Sequence, residues 1–254
     1  MLAGFDRSPA LPRLGGMARP DGVAIVSENF WAFADVDGSL REGSMPHPRG
    51  ALRRIPLVRG LVRLSLSLSP LFRRDGLTRP RERLLLAAAV AAPLAFVFLP
   101  QTLSLVAGLA VTFGLIAWLL RGRTLALHGA EHRAIAAAEE RRLASTWEGS
   151  ARPTRFALRC GTNFAALVLP ISALFQRVWP FAPTLYASAG VVLLSLAVTM
   201  ELWLAVERSS RRIARVFLLP GLGLQRLTTR EPALEETRVA LRAVESVLRR
   251  EALT

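Results

Sequence analysis

Two of the three histidines of the chain stand four residues apart, in the motif His128-Gly129-Ala130-Glu131-His132. The residues after the motif favour a helix, so both imidazoles are expected on one helical face, with Glu131 beside them and Glu139 two turns further along. Two imidazoles at this spacing can bind one divalent ion, and a neighbouring carboxylate can act as a general base. The motif predicts a metal site, zinc favoured, with His128, His132 and Glu139 as ligands and Glu131 as the catalytic base. The alternative is a pair of surface histidines on a polar helix.

Glu201 is a carboxylate within an otherwise apolar run, residues 184–206. A charge within a membrane costs ~2.5 kcal/mol or more and normally has a partner. Glu201 is therefore expected to be a further metal ligand or proton acceptor, or to pair with an arginine such as Arg159. Cys160 is a candidate soft ligand or nucleophile, and the alternative is a small buried apolar side chain.

Composition excludes several classes of protein. All 33 basic residues are arginine, which excludes a P-loop lysine, a lysine Schiff base and a pyridoxal-phosphate enzyme. The single cysteine excludes an internal disulfide and a CxxC metal cage. Hydrophobic residues make up 52% of the chain and charged residues 20%, which is unusual for a soluble domain. The formal net charge is +14, but no nucleic-acid motif accompanies it, so we expect no nucleic-acid partner.

The apolar residues fall into runs that resemble membrane segments. Residues 84–99 and 103–120 predict one helical hairpin, which is short enough to be re-entrant. Residues 164–175, extending toward Trp179, and 184–206 predict a second. We therefore predict a mainly α fold: a polytopic α-helical membrane protein with two helical hairpins, a small N-terminal β unit and a C-terminal cytoplasmic helix. Buried core helices of a soluble protein are the alternative.

Arginine placement predicts the orientation of these segments. Residues 1–83 carry 14 arginines, 121–163 carry 8 and 207–254 carry 10, whereas the turn near Pro100 carries none. By the positive-inside rule, both termini and the central loop are expected in the cytoplasm. The predicted organisation is a cytoplasmic N-terminal region with an interfacial segment (1–83), membrane hairpin 1 (84–120), a cytoplasmic loop and helix with the histidine motif (121–163), membrane hairpin 2 (164–206) and a cytoplasmic C-terminal region (207–254).

The flanking regions are predicted to fold. Residues 22–27 and 30–36 predict short strands, and Asp37-Gly38 predicts a turn. Residues 50–72 are compatible with a helix at an anionic membrane surface or, at LSLSLS, with a strand. After Pro232, apolar residues at helical spacing predict a docking helix that runs toward Glu251.

Six sequence pieces together carry a resemblance to a known family. They are GGMARPDGV (15–23), IPLVRG (55–60), HGAEHRAI (128–135), RCGTNF (159–164), MELW (200–203) and PGLGLQRLTTREP (220–232). These pieces resemble the bacterial YqhQ-type membrane proteins, a domain family of unknown function catalogued as predicted metal-dependent enzymes. The resemblance implies a multi-pass protein of the bacterial inner membrane, with the histidine motif as its metal centre.

The chain departs from the family pattern at three positions. Asp21 stands where the family has a glutamate, Ala157-Leu158 replaces a His-Pro pair, and Met200 replaces a tyrosine before the intramembrane glutamate. The resemblance therefore implies one histidine ligand and one phenolic hydrogen bond fewer than in the family.

Three functions follow from these features. The first is a metal-dependent, hydrolase-like enzyme with its site at the cytoplasmic face of the membrane, acting on a protein or lipid substrate; Asp21, Arg159 and Cys160 are further site candidates. The second is a non-catalytic membrane scaffold or assembly factor. The third, a small-solute or ion transporter, rests on Glu201.

Overall fold

A computed structural model describes residues 2–47, 54–73, 76–96, 98–180, 184–208 and 216–254. The chain forms two compact units. Unit 1 comprises Met1–His47, Leu119–Asn163 and Pro220–Thr254, and unit 2 comprises Pro48–Trp118 and Phe164–Leu219. In chain order the elements are α1 (Leu2–Asp6), β1 (Gly15–Arg19), β2 (Gly22–Val26), β3 (Phe30–Asp35), β4 (Leu40–Ser44), α2 (Val58–Phe72), α3 (Pro80–Phe96), α4 (Gln101–Leu119), α5 (Thr124–Glu139), α6 (Leu143–Glu148), α7 (Gly161–Val178), α8 (Leu185–Arg208), α9 (Leu219–Thr228) and α10 (Leu234–Glu251).

The strands of unit 1 form an antiparallel meander in the order β1-β2-β3-β4. Two residues connect β1 to β2, and Arg19 pairs with Gly22 at that end of the ladder. Nearly all residues of β2 and β3 are buried. The strands predicted from residues 22–27 and 30–36 are confirmed as β2 and β3.

Helices α5 and α10 pack against the sheet and against each other. The apolar stripe of α10 supplies Leu241, Val244 and Leu248, which are buried with Ile25 of β2 and Leu127 of α5. At the start of α10 the Glu236 carboxylate accepts the backbone N–H of Ala233 at 2.7 Å, which satisfies one free donor of the first turn. The predicted C-terminal docking helix is thus confirmed, and it forms part of the core beneath the histidine motif.

Unit 2 contains α2, α3, α4, α8 and most of α7. The segment 50–72, for which a helix and a strand remained open, forms helix α2 from Val58; residues 50–53 lie outside the described residues. Helix α2 packs along α8, and the Phe164 and Trp203 rings meet edge to face at 6.3 Å between centroids. Leu167, Val206 and Leu218 form a small core in this unit.

The prediction of a polytopic membrane fold is wrong. Among the described residues, one helix is long and apolar enough to cross a bilayer, Tyr186–Val206 within α8, judged by length and composition alone. A span needs about 20 apolar residues. The first turn of α3 contains Arg81, Glu82 and Arg83, and α7 contains Pro170 and has Arg177 in its last turn.

Candidate metal site

Helix α5 presents both motif histidines to one side, as the four-residue spacing predicts. The rings of His128 and His132 lie 4.5 Å apart between centroids. His128 Nδ1 is 2.8 Å from the carbonyl oxygen of Thr228, and His132 Nδ1 is 2.7 Å from that of Arg155. Because a carbonyl oxygen only accepts hydrogen bonds, each Nδ1 carries the proton and each Nε2 carries the free lone pair. This is the arrangement that orients histidine ligands in metal sites.

The Nε2 atoms converge with one sulfur. His128 Nε2 lies 3.3 Å from Cys160 Sγ, whereas the buried Nε2 of His132 has no hydrogen-bond partner among the described residues. One donor atom from each of His128, His132 and Cys160 lies within 4.8 Å of the other two. A buried nitrogen without a partner is costly unless something binds it. These three side chains therefore could hold a metal ion.

Two backbone segments, around Arg155 and Thr228, supply the carbonyls that orient the histidines, and helix α5 contacts both segments. Arg133 donates to the carbonyl of Pro153 at 3.0 Å and to the Glu231 carboxylate at 2.6 Å. Gly129 allows the second segment to approach, because a Cβ there would lie 2.1 Å from the Arg230 carbonyl oxygen. Gly129 therefore allows the segment that orients His128 to lie directly against α5.

Cys160 is positioned by a buried amide network just before α7. Asn163 donates to the carbonyls of Ala157 and Leu158, and Gln225 both donates to and accepts from the backbone of Ala157. Asn163 and Gln225 are themselves hydrogen-bonded at 3.1 Å. Ala157 therefore contributes to the site through its backbone.

Burial determines the protonation of the three donors. It lowers the pKa of His128, and together with the neighbouring His128 it lowers the pKa of His132 to about 4. Burial also raises the pKa of the Cys160 thiol to about 11, against the hydrogen bond from Thr162. Both imidazoles are thus neutral at pH 7, as metal binding requires. The metal-free thiol stays protonated at that pH, which argues against a free cysteine nucleophile.

Glu131 lies against the outer edge of β1. Its carboxylate accepts a hydrogen bond from the Ala18 backbone, and a Cβ on Gly16 would lie 2.8 Å from its Cγ and Oε1. Burial raises the pKa of Glu131 to about 8. Its charge contributes to the raised pKa of Cys160, so the carboxyl lies within electrostatic reach of the sulfur. In the metal-free protein the Glu131 carboxyl is therefore protonated at neutral pH, whereas a general base must be ionised before it can accept a proton.

Comparisons with known proteins identify the family of this chain. The family model described as "Protein of unknown function (DUF1385)" matches residues 120–250. The chain belongs to this family. The uncharacterized protein YqhQ of Bacillus subtilis (strain 168) is 31% identical over 137 residues, which cover 52% of this chain and 42% of the relative. The match thus spans less than half of that relative's length. No solved structure matches the chain.

In this DUF1385 protein the acidic site candidates have other partners. Glu139 pairs with Arg159, a contact that occupies two of the residues proposed for the site. Glu201 belongs to unit 2, where its carboxylate accepts hydrogen bonds from Arg59 and from the Leu57 backbone at 3.1 Å. Asp21 pairs with Arg19 at 3.0 Å beside the β1–β2 turn. The donor group of the described residues contains none of the three.

Several residues that shape the site were not identified from the sequence. The carbonyls of Thr228 and Arg155 and the amide of Ala18 act through the fold. Cys160, in contrast, is a candidate soft ligand from the sequence, and it lies immediately before α7. Glu139, the last residue of α5, lies outside the donor group of the described residues.

Proposed function

We propose that His128, His132 and Cys160 bind one divalent metal ion, with zinc favoured. The observation that carries the proposal is the buried, unpartnered Nε2 of His132 beside His128 Nε2 and Cys160 Sγ. Two imidazoles and one thiolate are ligands that zinc accepts, and such a donor set is poorly suited to magnesium or calcium. Three protein ligands leave one position of a tetrahedral site open.

The finer proposal is a hydrolase-like, metal-dependent enzyme. A bound divalent ion would supply Lewis-acid polarisation of a substrate carbonyl or phosphoryl group. The Nε2 lone pairs of His128 and His132 are available to a metal ion, because the Nδ1–H groups donate hydrogen bonds to the carbonyls of Thr228 and Arg155. Glu131 holds a proton at neutral pH and can donate it to a leaving group, after which its carboxylate can accept one.

Metal analysis tests this proposal directly. Protein purified under zinc-replete conditions should contain about one zinc per chain, and the His128→Ala/His132→Ala double variant should contain almost none. Glu131→Gln should retain the metal and lose any hydrolytic turnover, because a proton donor is not a ligand. A folded wild-type protein without metal would exclude the enzyme proposal.

A second candidate function is a scaffold or assembly factor in which the metal is structural. The observation that favours it is the depth of the site, with His132 1%, Glu131 5% and Cys160 7% exposed. Structural zinc contributes directly to folding. A chelator should then unfold unit 1, whereas removing a catalytic ion should leave the fold intact. The transporter alternative loses its basis, since the Glu201 carboxylate is paired with Arg59.

We also propose that unit 2 binds the lipid bilayer and that unit 1 lies on the cytoplasmic side. Large apolar side chains of unit 2 are exposed, among them Leu84 at 72% and Phe98 at 78%, and residues 121–163 of unit 1 carry 8 arginines. A lipid or membrane-protein substrate would then reach the site from the cytoplasm. Co-flotation with phosphatidylglycerol vesicles should be retained in 1 M salt, and protein that stays at the bottom of the gradient would exclude the proposal.

A further inference from the structure

We infer that Cys160 makes metal binding at this site reversibly sensitive to peroxide. The inference rests on the proposed metal site and adds its regulation. Cys160 is the chain's single cysteine, so its oxidation cannot proceed to an internal disulfide. It is also the one donor of the three that a mild oxidant changes chemically, because imidazoles resist such reagents.

Two groups of Thr162 can donate hydrogen bonds to a negatively charged sulfur, against the burial that raises the pKa of the free thiol. The Thr162 hydroxyl lies 3.2 Å from Sγ, and the Thr162 backbone N–H lies 3.5 Å from it. The amide belongs to the first turn of α7, where the helix dipole favours negative charge. These donors can stabilise both the thiolate ligand and a sulfenate formed from it.

The burial of the site limits which oxidants can reach the sulfur. Cys160 is almost fully buried, so a small neutral oxidant such as hydrogen peroxide can reach the sulfur, whereas a bulky disulfide cannot. Cys160 reacts as the thiolate, the form in which it serves as a ligand. The S–O bond forms to one peroxide oxygen as the O–O bond breaks, and hydroxide leaves and is protonated to water. The sulfur loses two electrons and the peroxide gains them. Two equivalents of a thiol reductant restore Cys160 and yield one disulfide and one water.

Oxidation removes one of three ligands. His128 and His132 remain on a single helix, and their two imidazoles fill only two of the four positions of a tetrahedral zinc site. Changes outside the ligand shell already weaken metal sites by about 10–100-fold, so loss of the thiolate should weaken binding by more than about 100-fold. The oxidised protein should therefore release its ion to a chelator against which the unoxidised protein retains it.

The test uses zinc-loaded full-length protein and stoichiometric hydrogen peroxide. Zinc release is measured with a chromogenic chelator, and sulfenic acid is measured by dimedone labelling and mass spectrometry. We expect one zinc released per sulfenic acid formed, and rebinding after dithiothreitol. The control is the oxidation of the methionines, which is quantified in the same digests; zinc release should follow the oxidation of Cys160 and not theirs.

The outcomes separate this inference from the proposed function. Wild-type protein that holds no zinc under zinc-replete conditions overturns both. Protein that holds zinc and keeps it after Cys160 is labelled by dimedone overturns the inference alone. Zinc release that follows methionine oxidation while Cys160 stays unlabelled by dimedone also overturns it, because oxidation elsewhere would then be the cause.

Discussion

The three histidines of the chain use their ring nitrogens differently. His47 is exposed and its Nε2 lies 2.9 Å from Asn29 Oδ1, whereas the buried Nε2 of His132 is held ready for a ligand. We expect His132→Ala to abolish stoichiometric zinc and the matched variant His47→Ala to retain about one zinc per chain. Elemental analysis after gel filtration measures both. Equal zinc content in the two variants would contradict the assigned ligand.

Glu131 should make the stability of the metal-free protein depend on pH. Its pKa is about 8 in the folded protein against an ordinary value of 4.5, so the native state keeps a proton that the unfolded chain has lost in this interval. The free energy of unfolding therefore falls as the pH rises from about 4.5 to 8. Glu131→Gln remains neutral and avoids this loss.

The measurement is the unfolding midpoint of both proteins in chelator-treated buffer. The advantage of Glu131→Gln over the wild type should grow from pH 4.5 to pH 8 and then level off. The titrations of His128 and His132 occur in both proteins and largely cancel in the difference. A difference that stays constant with pH would show that the carboxyl is ionised throughout.

Histidine spacing predicted two donors, but the third depended on tertiary structure. Glu139 stood on the expected helical face, yet it lies near the end of α5 and pairs with Arg159. Cys160 is 28 residues from His132 in sequence and joins the site through the amides of Asn163 and Gln225. Helical periodicity describes neighbours on one helix, so it cannot rank donors from other segments.

At the scale of elements, the approach of two segments depends on Gly129. A methyl group there would lie 2.1 Å from the Arg230 carbonyl oxygen, which belongs to the segment that orients His128. We expect Gly129→Ala to destabilise the protein by about 1–3 kcal/mol and to weaken zinc binding. Gly223→Ala is the matched control, since open space surrounds Gly223 in α9 and alanine favours a helix. Thermal melting and zinc titration of both variants measure the difference, and equal effects would contradict the role of Gly129.

The sequence identified the central strands and missed the edges. Strands β2 and β3 contain apolar runs of the kind that buried strands require. The edge strands β1 (GGMAR) and β4 (LREGS) lack β-branched residues and form because β2 and β3 offer them a ladder. The repeated Leu-Ser of residues 64–69 fits a strand locally, yet it lies within α2, which packs along α8.

At the scale of the whole molecule, composition predicted more membrane-spanning helices than the described part of the chain contains. Hydropathy counts apolar residues, whereas a span needs one uninterrupted helix of sufficient length. Among the described residues only Tyr186–Val206 combines the two. The apolar run of α3 shares its helix with a charged first turn, and that of α7 contains an internal proline.

The two ends of the chain share one core, and this makes their location testable. The sheet of residues 15–44 packs against α10, so both ends of unit 1 must lie in the same compartment. The arginine-rich segments favour the cytoplasm. A green fluorescent protein fused before Met1 and one fused after Thr254 should both fluoresce, and alkaline phosphatase at either position should be inactive. Signals from opposite compartments would contradict the shared core, whereas active phosphatase at both positions would preserve the core and reverse the side on which the metal site lies.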